Sequence, residues 1–362
     1  MSDIDDLEEL EEVEEVEELE DINLESSEKA EMDLDGISSI GIWRESYSQS
    51  PIPSLIIDKD LKIAWFNSAF TETFGIYENL IGLSLPQFYT GYISQNTLKE
   101  MIQHLNSKDA GFSWYGRVER KSRKQLSVIT KLLIVPLFFN QANIPLPVAY
   151  GCVYNDISHE YRELLQNTFR SLLEAARLKD NDTGNHIERV NQYSKRLAEV
   201  LLKTDRYPQI DNEFIQNIGF LAAMHDVGKI GTPDDILNKA GRLEDWEWEV
   251  MKEHTINGAY ILSTYPNSMA REIALRHHEW WNGAGYPHGL SNNFIPLSAR
   301  IVTVADVYDA LRMERAYKKP FPHKKAKAII INEKGTHFDP FIVDQFAAVE
   351  SDFADIFAAL TD

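Results

Sequence analysis

The chain has 362 residues, which is more than one typical domain core needs and suits two domains plus a terminal segment. Its hydrophobic content of 43% and charged content of 26% are ordinary for a folded protein and exclude collagen-like and disulfide-rich classes. The only cysteine, Cys152, can form neither an intramolecular disulfide nor a cysteine metal cage, so a reducing compartment is expected. We predict that Cys152 is a buried strand residue.

Most of the net charge of −21 lies in one segment, because the first 36 residues hold eighteen Asp and Glu against the single Lys29. Apolar residues recur at every third position from Ile4 to Leu19, so they drift around a helix and form no fixed face. Glutamates four residues apart also repel one another. We predict that residues 1–40 are an acidic, disordered tail, with a segment that docks on a basic partner as the alternative.

The sequence shows no targeting segment and no membrane span. Its amino terminus lacks a basic region followed by an apolar one. The longest apolar run, residues 129–139, contains Lys131 and is too short to cross a bilayer. A cytoplasmic protein without a membrane partner is therefore expected. No nucleic acid polymer is expected as a partner, whereas a small anionic substrate is compatible with a charge that is concentrated in the tail.

Residues 41–157 are predicted to form a small α+β domain. From Pro51 onward, short runs rich in β-branched and aromatic residues alternate with turn formers, which is typical of strands with a few short helices. The segment Ser54–Asn67, with a turn at Asp58–Asp60, resembles the opening hairpin of a PAS sensor domain. Later strands are predicted at 112–120, 125–138 and 148–154. The resemblance implies a sensory domain.

The ligand of this PAS-like domain is not identified by the sequence. PAS-like cores can hold haem, flavin or a small metabolite. His104 is the only histidine before position 159, and no flavin-type motif surrounds Cys152. The bound molecule is therefore left open.

Residues 158–180 are predicted to be a helical linker. Leu165, Phe169, Leu172 and Ala176 recur at alternating spacings of four and three residues, which is the seam of a short coiled coil. We therefore predict a homodimer through this helix. Because the seam spans fewer than three heptads, the alternative is a single amphipathic helix that packs on its own chain.

Residues 181–362 are predicted to form an all-α domain around a metal centre. Eight of the ten histidines lie in this region, several of them beside Asp or Glu. The central motif is His225-Asp226-Val-Gly-Lys229, which follows the apolar segment 218–224 and can supply one nitrogen ligand and one bridging carboxylate. The accompanying candidate ligands are His186, His254, His277, His278 and Asp306.

The residue types of this set indicate the kind of metal and of reaction. Imidazole and carboxylate ligands without a thiolate suit Fe, Mn, Ni or Zn. A bridging carboxylate can hold two such ions at the separation that phosphoester hydrolysis uses.

The string His277-His-Glu-Trp-Trp-Asn-Gly-Ala-Gly-Tyr-Pro287 resembles the HD-GYP family of cyclic di-GMP phosphodiesterases, a branch of the HD hydrolase superfamily. The similarity extends through residues 295–300, 306–311, 315–320 and 335–340. It implies a multidomain protein in which a PAS-like domain precedes an all-α HD-type helical bundle. It also implies a bacterial second-messenger enzyme that hydrolyses cyclic di-GMP to pGpG, or further to GMP, under control of the PAS-like domain.

The resemblance also implies roles for single residues. One metal ion is expected among His186, His225, Asp226 and Asp306, and its neighbour among His254, His277 and His278, with Asp226 bridging the two. Fe or Mn is expected, with Ni or Zn as alternatives. Asp182 stands where some family members use a Glu to hold a third ion, and its shorter side chain leaves that ion in question. The expected catalytic residues are Asp226 and Lys229, and the expected substrate-binding residues are Tyr286, Arg315 and Lys318.

The sequence is also compatible with two other functions. The chain could be a catalytically quiet receptor for a cyclic dinucleotide, or a metal phosphohydrolase that acts on another nucleotide, including a mixed guanine-adenine cyclic dinucleotide. Gly283 and Gly285 are expected to allow a tight loop before Tyr286. Trp246 and Trp248 are expected to pack between helices.

Overall fold

The computed structural model describes residues 39–75, 80–90, 93–105, 113–122, 126–138, 147–179, 184–314 and 319–361. Most of the predicted acidic tail lies outside these residues, and so do three predicted site residues, Asp182, Arg315 and Lys318. No helix among the described residues is long and apolar enough to span a membrane.

The amino-terminal part is built on a five-stranded antiparallel sheet with the strand order β2-β1-β5-β4-β3. The strands are β1 Ser54–Asp58, β2 Ile63–Phe66, β3 Trp114–Lys121, β4 Ser127–Leu137 and β5 Ala149–Asp156. The predicted opening hairpin is confirmed, since Leu55 of β1 pairs with Phe66 of β2. The three later strands predicted from the sequence are also confirmed, and Cys152 is buried in β5 as expected.

Short helices cover the sheet, and they are α1 Ser39–Tyr47, α2 Ser68–Phe74, α3 Leu85–Tyr89 and α4 Gln95–Leu105. Asn67 begins α2, because its side-chain oxygen accepts hydrogen bonds from the backbone N–H groups of Phe70 and Ser54 at 3.0 Å each. Phe70 and Phe74 of this helix pack edge-on against Tyr154 of β5. The small unit therefore has its own aromatic core between helices and sheet.

The linker is the helix α5 Ser158–Arg177, which follows β5 after one residue. Phe169 is only 3% exposed, because its ring packs against Phe220 and Tyr265 at centroid distances of 5.5 and 4.0 Å. Leu172 and Ala176 of the predicted seam pack on the same core. Three of the four predicted seam residues therefore pack within one chain, as the alternative of a helix packing on its own chain expects.

The carboxy-terminal part is built from helices, as the sequence predicts. They are α6 Gly184–Leu202, α7 Asn212–Leu221, α8 Asp234–Leu237, α9 Asp245–Lys252, α10 His254–Ile261, α11 Ser268–Arg276, α12 Leu297–Arg312, α13 His323–Asn332, α14 Pro340–Ala348 and α15 Glu350–Ala359. Helix α12 is central, since nearly all of its residues from Leu297 to Ala305 are buried. The buried ion pair between Arg300 of α12 and Asp339, which caps α14, ties the last helices to this centre.

The turn that carries the His-Asp motif packs directly against α10. After α7 the chain forms two short 3-10 helices, Ala222–Met224 and Val227–Gly231, with the motif between them. At Gly228 an added Cβ atom would lie 1.9 Å from the carbonyl oxygen of His254 and 2.3 Å from the backbone nitrogen of Gly258. Only a glycine allows this backbone contact, which holds the motif beside the start of α10.

We expect the substitution Gly228→Ala to lower the free energy of unfolding by about 3 kcal/mol, because two backbone segments must separate to admit the methyl group. The matched control is Gly241→Ala, where an added Cβ meets nothing within 4 Å, and a change below about 1 kcal/mol is expected. Urea unfolding followed by circular dichroism measures both. Equal stability of the two variants would contradict the packing described here.

Candidate metal centre

Seven predicted ligands lie together at the inner ends of the carboxy-terminal helices. His186 lies on α6, His225 and Asp226 on the turn after α7, His254 at the start of α10, His277 and His278 just after α11, and Asp306 on α12. Two groups have ligand atoms within 4.8 Å of one another, and Asp226 belongs to both. The first group is His186, His225 and Asp226, and the second is Asp226, His254, His277 and His278.

Each carboxylate oxygen of Asp226 faces a different group. Oδ2 lies 3.2 Å from Nε2 of His225, and Oδ1 lies 3.4 Å from Nε2 of His254 and 3.7 Å from Nε2 of His277. Asp306 joins the first group, since its Oδ1 lies 3.7 Å from Nε2 of His225. This is the arrangement of a carboxylate that bridges two cations.

Backbone carbonyl groups orient three of the imidazole rings. Nδ1 of His225 lies 2.9 Å from the oxygen of Ala222, and Nδ1 of His254 lies 2.7 Å from that of Met251. His277 makes the same contact with the preceding turn of its helix. A carbonyl oxygen only accepts, so Nδ1 of each ring is the donor and Nε2 of the neutral ring carries the lone pair.

The three Nε2 atoms that result are buried, and none has a hydrogen-bond partner within the described residues. A buried polar atom without a partner costs about 1–3 kcal/mol. The three atoms point at the same carboxylate from different sides, and a cation held there would satisfy all of them. The residues present therefore fit divalent metal ions, which nitrogen and carboxylate ligands bind.

His186 is oriented by a side chain instead of the backbone. Its Nδ1 donates to Oδ2 of Asp309 at 2.7 Å, and Arg189 donates to both oxygens of the same carboxylate at 2.7 and 3.0 Å. Arg189 and Asp309 are fully buried. Burial by itself would raise the pKa of Asp309, but the hydrogen bonds from His186 and Arg189 hold it below its usual value. The charged Asp309 thus turns Nε2 of His186 toward Asp306.

Burial keeps most of the imidazoles neutral. It lowers the pKa of His278 to about 3 and also lowers the pKa values of His254 and His277, so these rings have free lone pairs at neutral pH. Burial opposes the charged form of His225 too, but the adjacent Asp226 raises the pKa of His225 to about 9. The charges of Lys229 and His225 outweigh burial at Asp226 and hold its pKa well below the usual range. A metal ion must therefore displace a proton from His225, so its binding weakens as pH falls.

The loop after His278 brings Tyr286 against the second group. An added Cβ at Gly285 would lie 2.4 Å from the carbonyl oxygen of His278, so only glycine permits this close return of the chain. The N–H of Tyr286 donates to the same oxygen at 3.1 Å, and its ring stacks on His278 at a centroid distance of 4.7 Å. The buried carboxylate of Glu279 accepts from the N–H groups of His288 and Leu290 at 2.9 and 2.8 Å, which fixes the far side of the loop.

A small cavity opens beside the first group. Lys229 lines it, and Nζ of Lys229 lies 2.9 Å from Oδ2 of Asp226. Three further lining residues, Leu173, Ala176 and Arg177, come from the linker helix α5. These linker residues could not be assigned to the site from the sequence, because no motif marks them.

The prediction for the two tryptophans of α9 is wrong. Trp246 and Trp248 are 58% and 47% exposed instead of being packed between helices. The ring of Trp248 lies edge-on to Tyr286 at a centroid distance of 6.4 Å. The sequence could not show this, because the contact depends on where the loop after His278 returns.

We expect Asp309→Asn to weaken metal binding by about 10- to 100-fold, because the amide cannot hold the His186 tautomer as the carboxylate does. It should also destabilise the fold by about 3 kcal/mol, since Arg189 loses its buried counter-charge. Titration with Mn²⁺ and urea unfolding measure the two effects. The control is Asp355→Asn, an exposed carboxylate on α15. Unchanged Mn²⁺ affinity in Asp309→Asn would contradict the role of Asp309.

Comparison with known proteins agrees with this geometry. Residues 181–342 match the model of the HD domain family. A protein of Vibrio cholerae named "Probable cyclic di-GMP phosphodiesterase" is 43% identical over 202 residues, which are 53% of this chain and 46% of that protein. A second Vibrio cholerae protein, named "Cyclic di-GMP phosphodiesterase", is 46% identical over 201 residues, which are 53% of this chain and 41% of that protein.

A third relative bears a different substrate in its name. The "3'3'-cGAMP-specific phosphodiesterase 2" of Vibrio cholerae is 36% identical over 210 residues, which are 57% of this chain and 38% of that protein. The chain thus spans less than half the length of each of these three relatives. Residues 181–342, which match the HD domain family, contain all seven ligands described above.

Proposed function

We propose that the chain is a metal-dependent phosphodiesterase that hydrolyses the cyclic dinucleotide cyclic di-GMP to pGpG, or further to GMP. The observation that carries this proposal is the position of Asp226, whose two oxygens face two separate groups of buried imidazoles. Two bridged cations are suited to phosphodiester hydrolysis. The relatives named above as cyclic di-GMP phosphodiesterases support the same reaction.

The first ion would be held by His186, His225, Asp226 and Asp306, and the second by His254, His277, His278 and Asp226. Such a pair of ions supplies an activated water for attack and neutralises the charge that develops on the phosphoryl oxygens. Nitrogen and carboxylate ligands without a thiolate suit Fe or Mn, with Ni or Zn as alternatives. Asp182 stays the candidate ligand of a third ion.

We propose separate roles for the charged and aromatic side chains around the metal centre. Lys229 projects into the cavity beside the first group, where its ammonium group can contact the scissile phosphate or donate a proton to the departing oxygen. Tyr286, whose ring stacks on His278, is proposed to contact the substrate on the side of the second group. Arg315 and Lys318 are proposed to hold the substrate phosphates as fixed cations.

Two other functions stand beside this one. The relative named for 3'3'-cGAMP supports a mixed guanine-adenine cyclic dinucleotide as the alternative substrate. A catalytically quiet receptor is the other alternative, and the complete set of ligands argues against it because a receptor needs no paired metal centre.

We propose further that residues 41–157 are a PAS-like sensory domain, with an unidentified ligand, and regulate residues 181–362 through the linker 158–180. Helix α5 supports this, since it starts one residue after β5 and ends with Arg177 in the wall of the cavity. A second contact joins Lys121 of β3 to Asp211, the residue that caps α7, at 2.7 Å. The proposed homodimer through the linker stays a prediction.

The test is anaerobic turnover of cyclic di-GMP by the full chain loaded with Fe or Mn, with products separated by chromatography. Asp226→Ala should lower turnover by more than about 100-fold and reduce bound metal, because losing a supporting residue alone costs 10- to 100-fold. The control is Asp235→Ala, which removes an exposed carboxylate on α8.

Full activity and normal metal content in Asp226→Ala would contradict the assigned centre. Metal-loaded wild-type protein that binds cyclic di-GMP without forming product would favour the receptor. Product from the mixed cyclic dinucleotide alone would favour the alternative substrate.

A further inference from the structure

Helix α9 leads directly into the metal centre and carries two exposed tryptophans. Its last residue, Lys252, precedes His254 by two positions. Trp246 and Trp248 lie two residues apart, and residues at that spacing point to different sides of a helix. A single exposed indole is ordinary on a protein surface. A role in ligand binding must therefore be argued from the residues around each ring and not from its exposure.

The surroundings of the two rings differ. Trp246 donates from its indole nitrogen to Glu244 at 2.9 Å, a neighbour in the sequence. Trp248 lies edge-on to Tyr286, whose ring stacks on His278 at 4.7 Å and lies 6.5 Å from the ring of His254. Trp248 is thus the outermost member of a continuous series of rings that runs from solvent to the second metal-ligand group.

A cation lies beside this series. Lys252 is four residues after Trp248 and therefore on the same side of α9. Its ammonium nitrogen lies 5.9 Å from the centre of the Tyr286 ring and donates to Glu249 at 2.7 Å. The side chain is 25% exposed, so the ammonium group can also reach a ligand in solvent.

The exposed indole, the ammonium group and the nearby metal centre are groups that can bind the base and the phosphates of a nucleotide. An aromatic side chain can stack on a purine base, and such stacking is worth about 1–3 kcal/mol per base. An ammonium group pairs with a phosphate oxygen. If a substrate phosphate binds at the metal centre, the nucleoside linked to it can extend past Tyr286 toward Trp248, whose ring lies edge-on to Tyr286.

We propose that Trp248 forms the outer wall of the substrate cleft and stacks on a guanine base of the cyclic dinucleotide, while Lys252 offers its charge to the adjacent phosphate. This inference rests on the proposed function and adds a base-binding subsite to it. It assigns Trp248 to substrate affinity, because the ring of Tyr286 lies between the indole and the second metal-ligand group.

The experiment compares Trp248→Ala, Trp248→Phe and Trp246→Ala in the metal-loaded full chain, with cyclic di-GMP as substrate. Trp248→Ala should raise KM by about 5- to 100-fold, which corresponds to the loss of one stacked base, and leave kcat within about twofold. Trp248→Phe should restore most of the affinity, since its ring also stacks. Trp246→Ala should behave as wild type. Metal content and the melting temperature are measured for every variant.

An unchanged KM in Trp248→Ala would overturn the subsite while leaving the phosphodiesterase intact. Equal increases of KM in Trp246→Ala and Trp248→Ala, or loss of metal from Trp248→Ala, would also overturn it. A changed sedimentation coefficient of both Trp246→Ala and Trp248→Ala would instead indicate that the two tryptophans contact another protein chain. If wild-type protein measured in parallel yields no product, the proposed function fails, and the subsite falls with it.

Discussion

The carboxylate of Asp226 is the interaction on which the carboxy-terminal part depends. It shares two ligand groups with five imidazole rings, and within the described residues its nearest permanent cation is Lys229. Removing so many polar groups from water is costly unless each one finds a partner. The folded state is stable with these groups removed from water only if the lone pairs of the rings and the negative charge of Asp226 are satisfied together. A pair of cations would do so.

Contacts within the protein orient the side chains of the candidate metal ligands. Nδ1 of His225, His254 and His277 is hydrogen-bonded to the backbone carbonyl of a preceding turn, so the lone pair of each ring lies on Nε2 once the ring is neutral. The contact between Gly228 and α10 holds the motif against the start of the helix that carries His254. Such supporting contacts fix ring orientation and raise metal affinity. The site is therefore a property of helix packing more than of loop conformation.

Much of this centre could be predicted from the sequence, because ligand chemistry restricts residue type and the His-Asp motif restricts spacing. Asp309 and Arg189 could not be assigned in the same way, since a buried ion pair and an exposed one look alike in a sequence. The spacing of three residues between Asp306 and Asp309 places both on one face of α12, and this was the sequence feature that could have indicated a role for Asp309. Trp248 was misassigned because its contact with Tyr286 spans 38 positions of chain and depends on a loop. The strands of the small sheet were predictable from alternating apolar runs and turn residues, whereas a role for this sheet was not, since no residue there carries a specific chemistry.

In the proposed centre, Asp226 bridges two cations held by separate groups of histidines. The most direct test is a crystal structure of the full chain loaded with Mn²⁺, in which anomalous scattering locates the ions. Two peaks about 3.5–4 Å apart, one on each side of the Asp226 carboxylate, are the predicted result. A single peak, or two peaks that share no ligand, would contradict the account.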